Sequence, residues 1–382
     1  MSDIKHICII TYGYPHEKMP YFYTFVDKLV CAIADQGIKC TVINPVGKKI
    51  GHSHLMPPTS WTKKTKNGSV IELFCPRYLY FYATKVGGFN TGVLTFHLFM
   101  KAVKNTIKKY NLKPDCLYAH FIFPAGAAAA VVGNEIKLPV YFAYGESTSW
   151  GVEVLGKSRL KKYFKGINGV VAVSSAKKEE LLGFNLISEE KIEVFPNAVD
   201  DTVFFPRQKS EMRKKYGFSS SDFIVGFTGN FNESKGVMRL LEAVKTNENI
   251  KLVLIGGGKD RPESNNIIFK GFLPHDEVPL MLSTCDVFVL PTLNEGCSNA
   301  IIEAMACGLP IISADRSFNY DILDKTNAIL VDPENVKEIR NAIIKLMESV
   351  ELRKQLSEKS FQKSKKLSIE KRAFDILKWM NL

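Results

Sequence analysis

The sequence predicts an α/β protein built from two doubly wound, Rossmann-like domains. Short apolar runs that read as buried strands alternate with helical stretches along the chain. The alternation stops at a connection rich in proline and aspartate and then starts again. At 382 residues the chain exceeds what one ordinary core covers and fits two domains. With 46% hydrophobic and 24% charged residues, disorder is excluded.

In the first half, HICIITYG, KCTVINP, VIELFCP, PDCLYAH, PVYFAYG, INGVVAVS and KIEVFPN read as strands, most of them followed by a helical pattern. The clearest helices are 21–37, closed by Gly37, and 91–110. Repeated strand–helix units imply a parallel sheet covered on both faces. After PNAVDDTVFFP (196–206) the second series begins, with DFIVGFTGN, NIKLVLIGGG, NNIIFKGF, CDVFVLPT, LPIIS and AILVD as its strands. The spacing therefore predicts a first domain over 1–196 and a second over 197–367. The amphipathic segment 368–382 is expected to return to the first. Two such domains joined by a short hinge are expected to face each other across a cleft, with ligands at the C-terminal ends of the strands.

Several classes drop out. The N-terminus, MSDIKHICIITYG, has no signal-peptide pattern, and the longest nearly apolar run (117–133) is too short to span a bilayer. Eight cysteines without a CxxC pair or metal-ligand spacing read as small hydrophobes of a reducing cytoplasm. Charge is divided unevenly. Residues 1–197 carry 25 Lys and Arg against 14 Asp and Glu, a balance of +11, while residues 198–382 carry 26 against 25. A basic first half calls for an anionic partner. No nucleic-acid motif accompanies it, so an anionic membrane surface is the expected partner rather than nucleic acid, and a cytoplasmic protein peripheral on the inner face of the membrane the expected setting. Solubility alone would also explain the charge. The aromatic stretch 77–101 either meets lipid or builds the first domain's core.

The chemistry concentrates in NEGCSNAIIEAMACG (294–308). Residues 299–308 read as a short helix, apolar nearly all round and therefore buried. Ser298 or Asn299 caps its start, so free N–H groups and the positive dipole end face the loop, and Gly296 lets a phosphate approach. Glu303 lies about one turn inside, placed to accept hydrogen bonds from ribose hydroxyls, and Glu295 precedes the helix. A Glu303–lysine pair with Glu295 solvated is equally compatible with this spacing.

Glu295 and Glu303, set in E-x7-E within EGCSNAIIEAMACGLPIIS, resemble the signature of retaining nucleotide-sugar glycosyltransferases of the GT-B fold, family 4. PNAVD (196–200), TGNFNESKG (228–236), GFLPHDEVPLMLSTCDVFVLPT (271–292) and DCLYAHFIFPAG (115–126) resemble further segments of that family. The likeness is strong in the second half and diffuse between residues 45 and 110. It implies that Glu303 binds the ribose and Glu295 the sugar hydroxyls. The amides of Gly296, Cys297, Ser298 and Asn299 would face the sugar and distal phosphate, Lys235 would neutralise the diphosphate, and the main chain of Gly271, Phe272 and Leu273 would lie beside the base. His120 would contact the transferred sugar or polarise the acceptor, and Gly13 would let its loop approach the donor. No metal or other cofactor is implied, and no DxD triplet occurs.

Two positions depart from the family pattern. Asn230 stands where an arginine is usual, which leaves Lys235 as the fixed charge on the diphosphate. YGES (144–147) puts Tyr144 at a usual histidine, so no catalytic role passes to it, and Glu146 is expected to touch donor or acceptor at most. The resemblance thus implies transfer of a sugar from a UDP- or GDP-sugar to a glycan or polyprenyl-linked acceptor in cell-surface polysaccharide synthesis. The alternative is a nucleotide-sugar-binding protein without turnover. A dinucleotide-dependent oxidoreductase is disfavoured, because VLIGGGKDR has Arg261 where the last glycine of its fingerprint belongs.

Overall fold

The computed structural model describes residues 4–48, 56–87, 89–146 and 150–381. The chain divides into two compact units, Met1–Phe195 with Arg372–Leu382, and Pro196–Lys371. Ser147, the last residue of YGES, lies outside the described residues.

The first unit carries an eight-stranded sheet. Its order is Ile192–Val194, Gly169–Ala172, Val140–Tyr144, Cys116–His120, His6–Ile10, Lys39–Ile43, Val70–Phe74 and Ser60–Lys64. Every pairing is parallel except the last. The neighbouring interior strands Cys116–His120 and Val140–Tyr144 are buried at every position, as strands covered on both faces must be. Ser60–Lys64 (SWTKK) alternates between exposed and half-buried positions. Apolar runs could not reveal it, because the strand is polar: Lys63 reaches back to the Asp27 carboxylate at 2.5 Å, and the exposed Lys64 blunts the sheet edge. The stretch 77–101 splits. Tyr78, Phe96 and Phe99 belong to the core, whereas Leu79, Phe81, Tyr82 and Leu94 are exposed. The closing helix Ile369–Met380 packs its end here: the Tyr141 hydroxyl donates to the Met380 carbonyl at 3.1 Å, and Trp379 meets Tyr141 edge-on. Among the described residues no helix is long and apolar enough to cross a membrane.

The second unit has six parallel strands in the order Ile267–Gly271, Ile250–Gly258, Phe223–Phe231, Val287–Leu290, Ile311–Ala314 and Ala328–Val331. The order runs outward in both directions from the pair Phe223–Phe231 and Val287–Leu290. Loops leaving these two strands at their C-terminal ends flank the switch point where doubly wound sheets bind ligands.

Candidate active site

Strand Phe223–Phe231 leads through Asn232–Gly236 into helix Val237–Val244. Lys235 sits at the end of that loop. Gly236 follows with φ +79°, and a Cβ there would lie 2.5 Å from the Pro291 carbonyl oxygen, so only glycine fits. Arg239 then fastens the loop to its neighbours. Its guanidinium donates to the carbonyls of Glu233, Pro291 and Pro333, each at 2.8 Å. Strand Val287–Leu290 leads through Pro291–Ser298 into helix Asn299–Ala306. The two loops are stitched together: the Leu293 amide donates to the Ser234 carbonyl at 2.7 Å, and the Thr292 hydroxyl reaches the same oxygen at 3.2 Å. Asn197 donates from its side chain to the Cys297 carbonyl at 2.9 Å, tying PNAVD to the same loop.

This scaffold brings Lys235 and Glu295 into direct contact, Nζ to Oε1, with side chains 22% and 14% exposed. The sequence reading gave these residues separate ligand groups; the structure makes them an ion pair. Ser298 is the N-cap, its Oγ accepting from Ile301 N at 3.4 Å, and it leaves the first amides of the helix without intrahelical acceptors. Gly296, Cys297 and Ser298 are buried and Asn299 is half-buried. Among the described residues Glu303 pairs with no lysine. Its Oε1 lies 3.5 Å from Nε2 of His275, whose ring meets Phe204 edge-on. Sequence reasoning missed His275, although it stands in the GFLPHDE segment, because a histidine after Pro274 carries no period or motif of its own.

Gly271, Phe272 and Leu273 close the strand Ile267–Gly271. Phe272 is 78% exposed, the most exposed large apolar side chain among the described residues, and its ring lies against Gly257. Asn230 is exposed and pairs in register with Gly257 on the neighbouring strand. Just past that strand, Arg261 is exposed and donates from Nη1 to the Gly258 carbonyl at 2.6 Å. The glycines 256–258 lie inside strand Ile250–Gly258 and no helix follows, so the context a dinucleotide fingerprint requires is missing. Among the described residues one group could hold a metal by geometry, Asp200, Asp201 and Glu370, with ligand atoms within 4.8 Å of one another. None of the three belongs to the Lys235 or Glu295 loops.

Gly13 and His120 belong to the other unit. A Cβ on Gly13 would lie 2.6 Å from the Tyr23 ring and 2.7 Å from the Phe22 ring, so its missing side chain makes room for aromatics of its own unit. His120 ends strand Cys116–His120, but its imidazole is only 3% exposed, enclosed edge-on by Tyr118 and Phe25, and therefore does not open to solvent. Burial, with Arg372 nearby, pushes its pKa down to about 3. Glu146 is buried as well. Its carboxylate accepts from the Ile122 amide and from Gly145 N at 3.2 Å, and desolvation raises its pKa to about 7. Tyr144 donates to Glu180 at 2.7 Å rather than lining an open face.

Two family models match this chain: Glycosyltransferase Family 4 over residues 23–203, and Glycosyl transferases group 1 over residues 208–363. A putative teichuronic acid biosynthesis glycosyltransferase, TuaC of Bacillus subtilis, is 27% identical over 345 residues, 87% of each chain. A GDP-mannose-dependent alpha-mannosyltransferase of Corynebacterium glutamicum is 27% identical over 253 residues, 63% of this chain and 60% of that one. Among solved structures, Anabaena HepE in complex with UDP-glucose superimposes with a TM-score of 0.70 at 16% identity, covering 98% of this chain and 99% of that one.

Proposed function

This chain is a glycosyltransferase of family 4 type with the GT-B fold, and we propose that it transfers a sugar from a nucleoside diphosphate donor to a hydroxyl of a glycan or lipid-linked glycan, with retention at the anomeric carbon. One observation carries the reading. Lys235 and Glu295 are paired beside a Ser298-capped helix start, with Glu303 one turn inside it. A diphosphate arriving at the helix start competes with Glu295 for Lys235. The ammonium then turns to phosphate, and the released carboxylate is free to accept from sugar hydroxyls.

As the bond from the anomeric carbon to phosphate breaks, charge grows on the departing oxygen, where Lys235 and the helix amides stabilise it. The acceptor oxygen bonds to the same face of that carbon, and its proton passes to the leaving phosphate. No protein nucleophile and no metal enter this scheme. Glu303, steadied by His275, holds the ribose, and the exposed Phe272 ring offers the base a face to stack on. Arg261, beside the strand end that carries Asn230, supplies the second cation that position 230 lacks. His120, enclosed by Tyr118 and Phe25 and held neutral by burial, is not the proton acceptor in this scheme. The name of the Bacillus subtilis relative, a putative teichuronic acid biosynthesis enzyme, supports a setting in cell-surface polysaccharide assembly, and the basic first half supports an acceptor met at an anionic membrane surface from the cytoplasmic side.

The test is a thermal-shift screen of UDP-, GDP- and ADP-sugars, followed by turnover of the stabilising donor and NMR of the product's anomeric configuration. A shift with a retained configuration supports the proposal. An inverted product overturns retention. A shift without turnover, acceptors supplied, supports a binding protein instead.

A further inference from the structure

A cavity of about 270 Å3 opens within the first unit. It lies where three neighbouring parallel strands, His6–Ile10, Lys39–Ile43 and Val70–Phe74, end, and its lining comes from the segments that leave them. The C-terminal ends of strands are where doubly wound sheets take ligands. The walls are mostly aromatic, with Tyr12, Phe22, Tyr78, Tyr80 and Tyr82, and with His16 among them. Two glycines make the space: Gly13 admits Phe22, and Gly47 lies so close to Tyr80 that a Cβ there would sit 2.8 Å from the tyrosine's own Cβ. Tyr80 and Tyr82 meet edge-to-face at 5.4 Å, and Tyr82 is 66% exposed.

We infer that this cavity binds one uncharged sugar ring of the acceptor; the inference rests on the glycosyl transfer proposed above. Aromatic faces match the C–H faces of a pyranose, and phenol hydroxyls match its hydroxyls. Burial raises the pKa of Tyr12, Tyr78 and Tyr80, so they stay protonated and able to donate. His16 is shifted down, chiefly by burial and further by Lys18 and Arg77, and stays neutral. Among the described residues that line the cavity none is a lysine, arginine or carboxylate; Lys18 and Arg77 act on His16 from outside the lining, so a phosphate or a uronic acid meets no direct countercharge at the walls. The volume is near the lower end for ligand pockets, roughly 300 Å3. It suits a ring and not a long isoprenoid.

Saturation-transfer NMR on the full chain, with methyl α-glucopyranoside and methyl N-acetylglucosaminide as probes against glucuronic acid and farnesyl phosphate, tests this. The expected result is transfer to a neutral glycoside, at least fivefold weaker in Tyr80→Ala and in Tyr82→Ala and largely kept in Tyr80→Phe. The inference is overturned if the folded chain transfers to no neutral glycoside, if farnesyl phosphate or glucuronic acid is preferred, or if the alanine variants bind as before. A UDP-induced thermal shift in the same samples separates the two readings. Glycoside binding without a UDP shift leaves the cavity assigned and counts against the donor site alone.

Discussion

The turn after strand Cys116–His120 and the turn after strand Val287–Leu290 occupy equivalent places in their sheets, each at the C-terminal end of an interior parallel strand. Their chemistry is opposite. In the first, Glu146 from the neighbouring strand end already accepts from the Ile122 amide, and rings of Tyr23, Phe25 and Phe121 crowd around it. In the second, Ser298 caps one amide, and Lys235, Glu295 and Glu303 stand at the rim. The comparison teaches that topology marks where a ligand can bind, while prior satisfaction of the turn's amides decides whether an anion binds there.

The comparison breaks most visibly at Lys235. Lys235→Ala should lower turnover by about 100-fold, about 2.7 kcal/mol of transition-state stabilisation. A loss below tenfold in steady-state kinetics would remove the lysine from the diphosphate. Next in size, Gly236→Ala forces a side chain into positive φ against the Pro291 carbonyl. It should cost about 1–3 kcal/mol of stability, read as a lowered Tm. Glu303→Ala should weaken donor binding about tenfold, or ~1.4 kcal/mol, and His275→Ala less; calorimetric titration with whichever donor the thermal-shift screen selects checks both.

The buried turn answers to pH from both sides. His120, with its pKa near 3, stays neutral in the fold while the unfolded chain takes up its proton. Its contribution is complete above about pH 6.5 and is lost as pH falls toward 3, by at most about 1.4 kcal/mol per unit. Glu146, raised to about 7, contributes fully below about pH 4.5 and loses that contribution as pH rises through 7. Denaturant titrations at several pH values should therefore show stability rising with pH in Glu146→Gln and falling with pH in His120→Gln. Equal slopes in the two variants would mean that the groups are not buried as described. The smallest effect belongs to the basic first half: sedimentation with anionic vesicles should weaken as salt rises from 0.05 to 0.5 M, and binding indifferent to salt would argue against a membrane surface.

Much of the fold was legible because buried parallel strands read as continuous apolar runs, and every such run in both units became a strand. The edge strand Ser60–Lys64 and the ribbon Val46–Lys48 with Arg77–Leu79 were not, since their order comes from pairing with neighbours rather than from their own pattern. In the site, the N-cap, at Ser298 or Asn299, was visible in a short spacing, whereas the glycine after Lys235 stood only within a segment matched by resemblance. The Lys235–Glu295 pair joins residues 60 apart, and the Glu303–His275 contact depends on how a loop is tied down. Neither leaves a trace in one sequence. Arg239, which fastens three carbonyls, looks like any surface arginine until its partners are placed.

The paired glycines behind the aromatic cavity have a consequence for redesign. Because Gly13 and Gly47 hold their positions by having nothing to collide with, adding bulk there would push the rings of Phe22 and Tyr80 into the opening and shut it. An engineer seeking a new acceptor should leave the floor alone and vary position 82, where a side chain leans into water and meets the cavity wall edge-on at Tyr80.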